Sequence, residues 1–190
     1  MENTDCPICN SKQTKRIFDD TLLKCQNCGH GWANLQLDHA YLQDLYAENY
    51  FKGEEYADYL ADKEILQMNF GKRAKQIAQN APAPKNMLEI GCAYGFFYET
   101  IAQKFKGVNY IGYDISQDAI RYANQHFGPH FSAENYLEVA KHQPYDAVFM
   151  WDVIEHLSDP GAFLAKAQKE CEPGAMLYLT TGDFGALLPR

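Results

Sequence analysis

The chain is 190 residues long, 46% hydrophobic and 22% charged, with a formal charge of −8 at pH 7. That is room for one substantial core and a small accessory module, in a composition ordinary for a globular protein. No apolar run approaches the roughly 20 residues that span a bilayer, the N-terminus lacks a secretory signal's charge and apolar segment, and the acidic balance disfavours nonspecific binding to nucleic acid, which makes the cytoplasm the default location.

The first element is a cysteine framework. Cys6-Pro7-Ile8-Cys9 and Cys25-Gln26-Asn27-Cys28 are two Cys-x2-Cys pairs separated by fifteen residues. Two residues between thiolates let both sulfurs of one turn reach the same ion, and two such turns complete a closed tetrahedral site. The spacing is similar to that of zinc ribbons, with Arg16-Ile-Phe-Asp and Thr21-Leu-Leu-Lys24 short enough for a hairpin. Cys6, Cys9, Cys25 and Cys28 are therefore expected to hold a structural zinc ion, with His30 and His39 as bystanders. So small a segment has too little core to fold alone, and the metal would supply its folding free energy. Residues 1–40 carry no dense Lys/Arg cluster of the kind that marks a nucleic-acid-binding ribbon.

Residues 41–84 form a connector rich in tyrosine: Tyr41, Tyr46, Tyr50, Tyr56 and Tyr59, with Phe51 beside them. A long helix is expected from Glu54 to about Asn80, its apolar stripe carried by Tyr59, Leu60, Leu66, Phe70, Ile77 and Ala78. Ala81-Pro82-Ala83-Pro84 ends it.

From residue 85 the pattern changes. Strands are expected near 86–91, 109–114, 129–132, 145–151 and 175–181, with helices between them, which implies a parallel sheet covered on both faces. Met87-Leu88-Glu89-Ile90-Gly91 is an apolar run ending on a carboxylate and turning over glycines through Gly95. Glycines there let a ligand approach the backbone, and the N–H groups of the following helix start favour electron-rich ligand atoms. About twenty residues on, a second apolar run ends on Asp114, an acid at the distance from which ribose hydroxyls are commonly bound. A nucleoside-containing ligand is the first inference.

Glu89-Ile-Gly-Cys-Ala-Tyr-Gly95 resembles the first motif of class I S-adenosylmethionine-dependent methyltransferases. Tyr145 to Pro160 resembles their fourth motif, and Glu172-Pro-Gly174 with Met176-Leu-Tyr-Leu-Thr180 resembles the approach to their fifth strand. The likeness covers roughly residues 85–185. Ala93 departs from the family's usual middle glycine, and is expected to be accommodated by keeping negative φ. The resemblance implies a doubly wound, mostly parallel Rossmann-like α/β domain over 85–190, lacking the family's last strands, behind a small N-terminal zinc ribbon. It implies that Glu89 helps hold the methionyl amino end, and that Gly91, Cys92 and Gly95 supply the close backbone approach. Asp114 would take the ribose hydroxyls, Ile115 would pack on adenine, Glu134 would lie at the adenine edge, and Trp151 with Asp152 would border the methionyl portion. Tyr50 and Phe51 would lid the sulfonium end; packing of one helix on another explains the same aromatics.

Methyl transfer needs alignment above all, and a general base where the acceptor is a hydroxyl or carbon acid. His156, with Glu155, is the candidate. Asp152, Glu155 and His156 stand at i, i+3 and i+4, so a helix would place all three on one face, where a divalent ion would fit. This resembles metal-dependent O-methyltransferases, although metal-free relatives carry the same acid-Val-Ile-Glu-His segment. A dinucleotide oxidoreductase fits less well, since Gly-x-Gly-x-x-Gly is missing at residues 91–96. The expected acceptor is a small molecule or a saccharide precursor. Alternatives are a cofactor-binding or partner-docking ribbon protein without turnover, and a nucleic-acid methyltransferase. An apolar fifth strand left at an open edge would invite pairing, so a further C-terminal segment or a second copy is expected to cover it.

Overall fold

A computed structural model describes residues 5–34, 59–80, 83–140 and 144–182. The expected lid residues Tyr50 and Phe51, together with His39, lie outside these.

The N-terminal module is a three-stranded antiparallel sheet of β1 (Thr14–Ile17), β2 (Leu22–Cys25) and β3 (Gly31–Ala33). β1 pairs with β2 from Thr14 opposite Cys25 to Ile17 opposite Leu22, as the expected hairpin requires, and β3 adds Trp32 opposite Leu23.

The larger unit is a five-stranded sheet, all of whose neighbours run parallel. Its strands are β4 (Asn86–Ile90), β5 (Asn109–Tyr113), β6 (Phe131–Ser132), β7 (Tyr145–Trp151) and β8 (Cys171–Thr180), in the order β6-β5-β4-β7-β8. Helices α1 (Lys63–Asn80), α2 (Phe96–Lys104), α3 (Gln117–Phe127) and α4 (Pro160–Glu170) supply the crossovers and the cover. This is the doubly wound Rossmann-like architecture expected of the sequence.

Strand alternation sorts the side chains of the sheet into two cores. Met87, Ala147 and Phe149 face Phe70, Ala74 and Ile77 of α1, Phe97 and Ile101 of α2, and Ile120 and Ala123 of α3. Leu88, Ile90, Val148 and Met150 face the other way, toward Tyr136 and Ala167, with Phe163 and Leu164 of α4 packed beside them. Ser116 caps α3 by accepting the Ala119 N–H at 3.4 Å, and Asp159 caps α4 by accepting the Ala162 N–H at 2.9 Å, with Pro160 opening the helix. Asp146 clamps the start of the central strand, its two carboxylate oxygens accepting the Lys85 and Asn86 N–H groups at 2.8 and 3.1 Å.

Several boundaries differ from expectation. Among the described residues α1 starts at Lys63, after a turn at 59–62, and runs unbroken through Gly71; the expected start at Glu54 lies outside the described residues. Ala78 is exposed; Ala74 takes its place on the buried stripe with Phe70 and Ile77. β8 begins at Cys171, because Pro173 and Gly174 form an irregularity within it: the pairing steps from Tyr145–Cys171 to Ala147–Met176, and Gly174 has φ 88°.

Candidate functional site

The central strand β4 ends in the glycine loop, and that loop is tied to the tip of β5. The Gly91 and Cys92 N–H groups both donate to the Tyr113 carbonyl, at 2.7 and 3.1 Å. The Ala93 N–H donates to Asp114 Oδ2 at 2.8 Å, and the Ser116 N–H to Asp114 Oδ1 at 2.9 Å. Asp114 is thereby held by one N–H on each side at the carboxyl end of β5, half-buried, where doubly wound sheets collect their ligands. Burial pushes its pKa up, while those N–H groups pull it back down.

The loop geometry corrects one expectation: Ala93 does not keep negative φ but sits at +43°, between Gly91 at +75° and Gly95 at +76°. In this conformation its N–H points at Asp114. Gly91 has no room for a side chain, since a Cβ there would lie 2.3 Å from a Val153 methyl. The Gly91, Cys92 and Ala93 N–H groups are consumed within the protein, so the donors this corner offers a ligand come from the first turn of α2. The Cys92 thiol is buried, and burial raises its pKa well above the usual range. Its backbone serves the loop, and its side chain packs on β5 at Gly112.

Glu89 lies on the face of β4 that carries Met87 and is 2% exposed. The buried Tyr110 hydroxyl donates to its Oε2, and desolvation pushes its pKa up to about 8. Ile115 is half-buried beside Asp114; Glu134 is exposed just past β6 and accepts a hydrogen bond from the Ser132 hydroxyl at 2.8 Å. The Ser132 carbonyl in turn accepts the Asp114 N–H at 3.2 Å, so β6 brings Glu134 toward the β5 tip.

At the tip of β7, Trp151 packs edge-on against Phe97 at 5.1 Å, with its indole N–H buried and unpartnered. Asp152 turns the chain at φ 55°, its N–H donating to the Thr180 carbonyl at 3.0 Å. Arg73 of α1 reaches both residues: its guanidinium stacks 4.5 Å above Trp151 and lies 3.4 Å from Asp152 Oδ2. Sequence reasoning missed Arg73. Its signal was a charge at i+3 from Phe70 and i−4 from Ile77, on the stripe that should be apolar. Tyr110 was missed as well, being one aromatic inside an apolar run.

The helix expected to align Asp152, Glu155 and His156 does not form. Ile154–His156 make a single 3₁₀ turn, Asp152 lies outside it, and Glu155 and His156 are exposed. Among the described residues, the group whose ligand atoms converge on one point is Cys6, Cys9, Cys25 and Cys28, all within 4.8 Å of one another.

Those cysteines sit in two matching turns. The Cys6 N–H donates to the Ser11 carbonyl and the Cys25 N–H to that of His30; the Asn10 N–H returns to the Cys6 carbonyl and the Gly29 N–H to that of Cys25. Asn10 and Gly29 take φ 55° and 81°, which suits the two residue types that visit this region most readily. Sulfurs at the corners of a tetrahedron around zinc stand about 3.8 Å apart for the usual Zn–S length of about 2.3 Å. Cys6–Cys28 and Cys9–Cys25 are each 3.6 Å apart. The Asn27 and Cys28 N–H groups aim at Cys25 Sγ from 3.4 and 3.5 Å, and these backbone donors bring that thiol's pKa down to about 6. The donor set fits a closed tetrahedral site.

Fold and corner together define the Rossmann-like α/β class, in which ligands gather at the carboxyl ends of the strands. Within that class, the chain belongs to the methyltransferase-domain family, whose match covers residues 56–186. It is 29% identical over 105 residues to the ubiquinone biosynthesis O-methyltransferase of Hydrogenovibrio crunogenus, covering 51% of this chain and 42% of that one. It is 31% identical over 102 residues to the Caulobacter vibrioides protein of the same name, covering 50% and 40%. The chain thus spans less than half the length of these curated relatives. Among solved structures, Streptomyces venezuelae DesVI shares the fold with a TM-score of 0.55 at 18% identity, over 80% of this chain and 60% of that one. The magnesium protoporphyrin IX methyltransferase of Synechocystis PCC 6803 with bound SAH does so with a TM-score of 0.55 at 18% identity, over 71% and 68%.

Proposed function

We propose that this chain binds S-adenosylmethionine at the β4–β5–β7 corner and belongs to an enzyme that methylates a small molecule or a saccharide precursor. The observation that carries the reading is Asp114, whose carboxylate is fixed by the Ala93 and Ser116 N–H groups at the strand tip. A carboxylate so oriented keeps lone pairs for two vicinal hydroxyls. S-adenosylmethionine, when bound, supplies a methyl group already activated on a sulfonium. The protein then has to orient and exclude. Gly91, Cys92 and Gly95 keep the loop thin, Ile115 offers an apolar face for a base, and Glu134 lies near its edge. Glu89 offers a buried acceptor to an amino group. Arg73, braced on Trp151 and Asp152, places a positive charge where a carboxylate would be neutralised. Glu155 and His156 are exposed just past the β7 tip, and one of them would take a proton from an acceptor held there.

The relatives' names, ubiquinone biosynthesis and protoporphyrin methylation among them, support a small-molecule acceptor. The geometry of the four cysteines supports a structural zinc ion on residues 1–40, with 41–84 as connector and 85–190 as cofactor domain. β8 has β7 as its partner among the described residues and exposes Met176, Leu177 and Leu179; this supports a covering strand, from further polypeptide or from a second copy. Calorimetry with S-adenosylmethionine and its demethylated product tests the reading. Wild type should bind both and Asp114→Ala neither; equal heats from the two proteins would overturn it. A methyl-release assay then separates an enzyme from a binder without turnover.

A further inference from the structure

Glu89 is an acid placed where an acid has little to neutralise it. It lies in register with Gly112 of β5 and Phe149 of β7, in the middle of the sheet and 2% exposed. The groups that face it come from every side. The Tyr110 hydroxyl of β5 donates to it; Arg73 of α1 and Asp114 at the β5 tip act on it through space with opposite signs. The Cys92 thiol of the glycine loop feels its charge, and the Tyr98 ring of α2 packs 4.8 Å from the Tyr110 ring. Among the described residues it has no salt bridge, for Arg73 pairs with Asp152 instead. An ionised carboxylate buried with one phenol for company is costly, and the protonated acid relieves that cost.

We propose that Glu89 is the neutral acid in the cofactor-free protein and releases its proton when the cofactor's cationic amino group arrives, with Tyr110 as the positioning residue that holds the carboxyl for that exchange. The inference rests on the cofactor reading above. The balance is simple: the O–H bond on Glu89 breaks, the proton passes to solvent, and the remaining lone pair accepts an N–H of the ammonium group. The Tyr110 hydroxyl stays as donor to the other oxygen throughout. Binding therefore exchanges one buried positive partner for another, and the site's net charge changes little. The raised Glu89 pKa agrees with this placement.

Titration calorimetry with the demethylated product, S-adenosylhomocysteine, in buffers of different ionisation enthalpy counts the protons directly. With Glu89 held near 8, the wild type should release most of one proton per ligand at pH 7, with the release falling as pH rises through 8. Glu89→Gln should release none. Tyr110→Phe loses a donor that favours the carboxylate, so its release profile should move to higher pH; a merely structural role would weaken binding without moving the profile. Tight binding by the wild type with no proton release at pH 7 overturns the proposal and leaves the cofactor reading intact, as does release that persists in Glu89→Gln. An unmoved profile in Tyr110→Phe overturns the role of Tyr110. No binding by the wild type at any pH sinks the cofactor reading and this inference together.

Discussion

Cys92 occupies the space that a side chain on Gly112 would need. A Cβ at Gly112 would lie 2.8 Å from the Cys92 Cβ, 2.9 Å from its sulfur, and 2.9 Å from Phe131 Cδ1. The middle of β5 is therefore bare so that the glycine loop can lie down on the sheet. Gly112→Ala should destabilise the domain by about 1–3 kcal/mol, the usual cost of overpacking, and lift the loop that carries Gly91 and Ala93. Urea denaturation with unchanged m-value, and a parallel loss of S-adenosylhomocysteine affinity, would verify this. Wild-type stability in the variant would mean that the loop is not pinned there.

Ala93 is strained where a glycine would not be. A non-glycine residue in the left-handed region costs about 1–2 kcal/mol, and glycine returns part of that through its greater freedom in the unfolded chain. Ala93→Gly should therefore raise stability by up to about 1 kcal/mol, and Ala93→Val, branched at Cβ, should lower it by more than that. Both are read from denaturation midpoints. The reverse order would show that φ at this position is not what limits the loop.

The strand tips were legible because buried parallel strands read as unbroken apolar runs, here ending on Glu89, Asp114 and Trp151 in turn. The cysteine turns were legible because their chemistry is local. The left-handed Ala93 was not, because the loop's path depends on its docking against the β5 tip and Asp114, far along the chain. Arg73 with Trp151, and Tyr110 with Glu89, are likewise pairs made by the sheet and its covering helix, and no periodicity announces them. The 3₁₀ turn at Ile154–His156 was misread as an α-helix because i, i+3 and i+4 spacing describes a face only where the backbone is helical throughout. Asp152, at φ 55°, breaks that condition before the turn starts.

Asp114 is predicted to dominate cofactor affinity. Asp114→Asn removes the charge and leaves an amide NH2 facing either the Ala93 or the Ser116 N–H, so one buried donor loses its acceptor. The variant also loses the charged acceptor that a ligand hydroxyl would meet, and hydrogen bonds to charged groups are worth about 1.5–3 kcal/mol each, so S-adenosylhomocysteine binding should weaken about 100-fold. A change of less than about 3-fold by calorimetry would remove Asp114 from the site.

The four-cysteine module should carry one zinc ion per chain and should melt without it. Stripping the metal with a strong chelator, or making Cys25→Ser, should expose β1–β3, because so small a sheet has little else to hold it. Trp32, which stacks on His30 at 5.8 Å, reports the change by its emission, and amide exchange in residues 5–34 localises it. The sheet of β4–β8, with its separate cores, should keep its protection. Unchanged exchange in the module after metal removal would show that the sulfurs are not its staple.

Burial of Glu89 also makes the cofactor-free domain sensitive to pH, with a sign opposite to that of ordinary surface carboxylates. Its folded pKa of about 8 exceeds the value of 4.5 usual for a free glutamate. The folded state therefore binds the proton more tightly, and the stability this contributes is complete below about pH 4.5. It drains away as pH climbs through 8. Glu89→Gln keeps a partner for the Tyr110 hydroxyl but cannot ionise, so its stability should lack this slope. The difference between the two proteins isolates Glu89, since Asp114, whose pKa is also raised, and the cysteine module are common to both. Guanidinium denaturation at pH 5, 6, 7 and 8 should show the wild type losing several kcal/mol at most relative to the variant across that window. A saturating cofactor analogue should flatten the wild-type curve, because an ammonium group beside Glu89 stabilises the carboxylate that high pH otherwise leaves unpaired. Parallel curves for wild type and variant without ligand would mean that Glu89 is already ionised in the folded protein, and that water or a neighbouring charge reaches it.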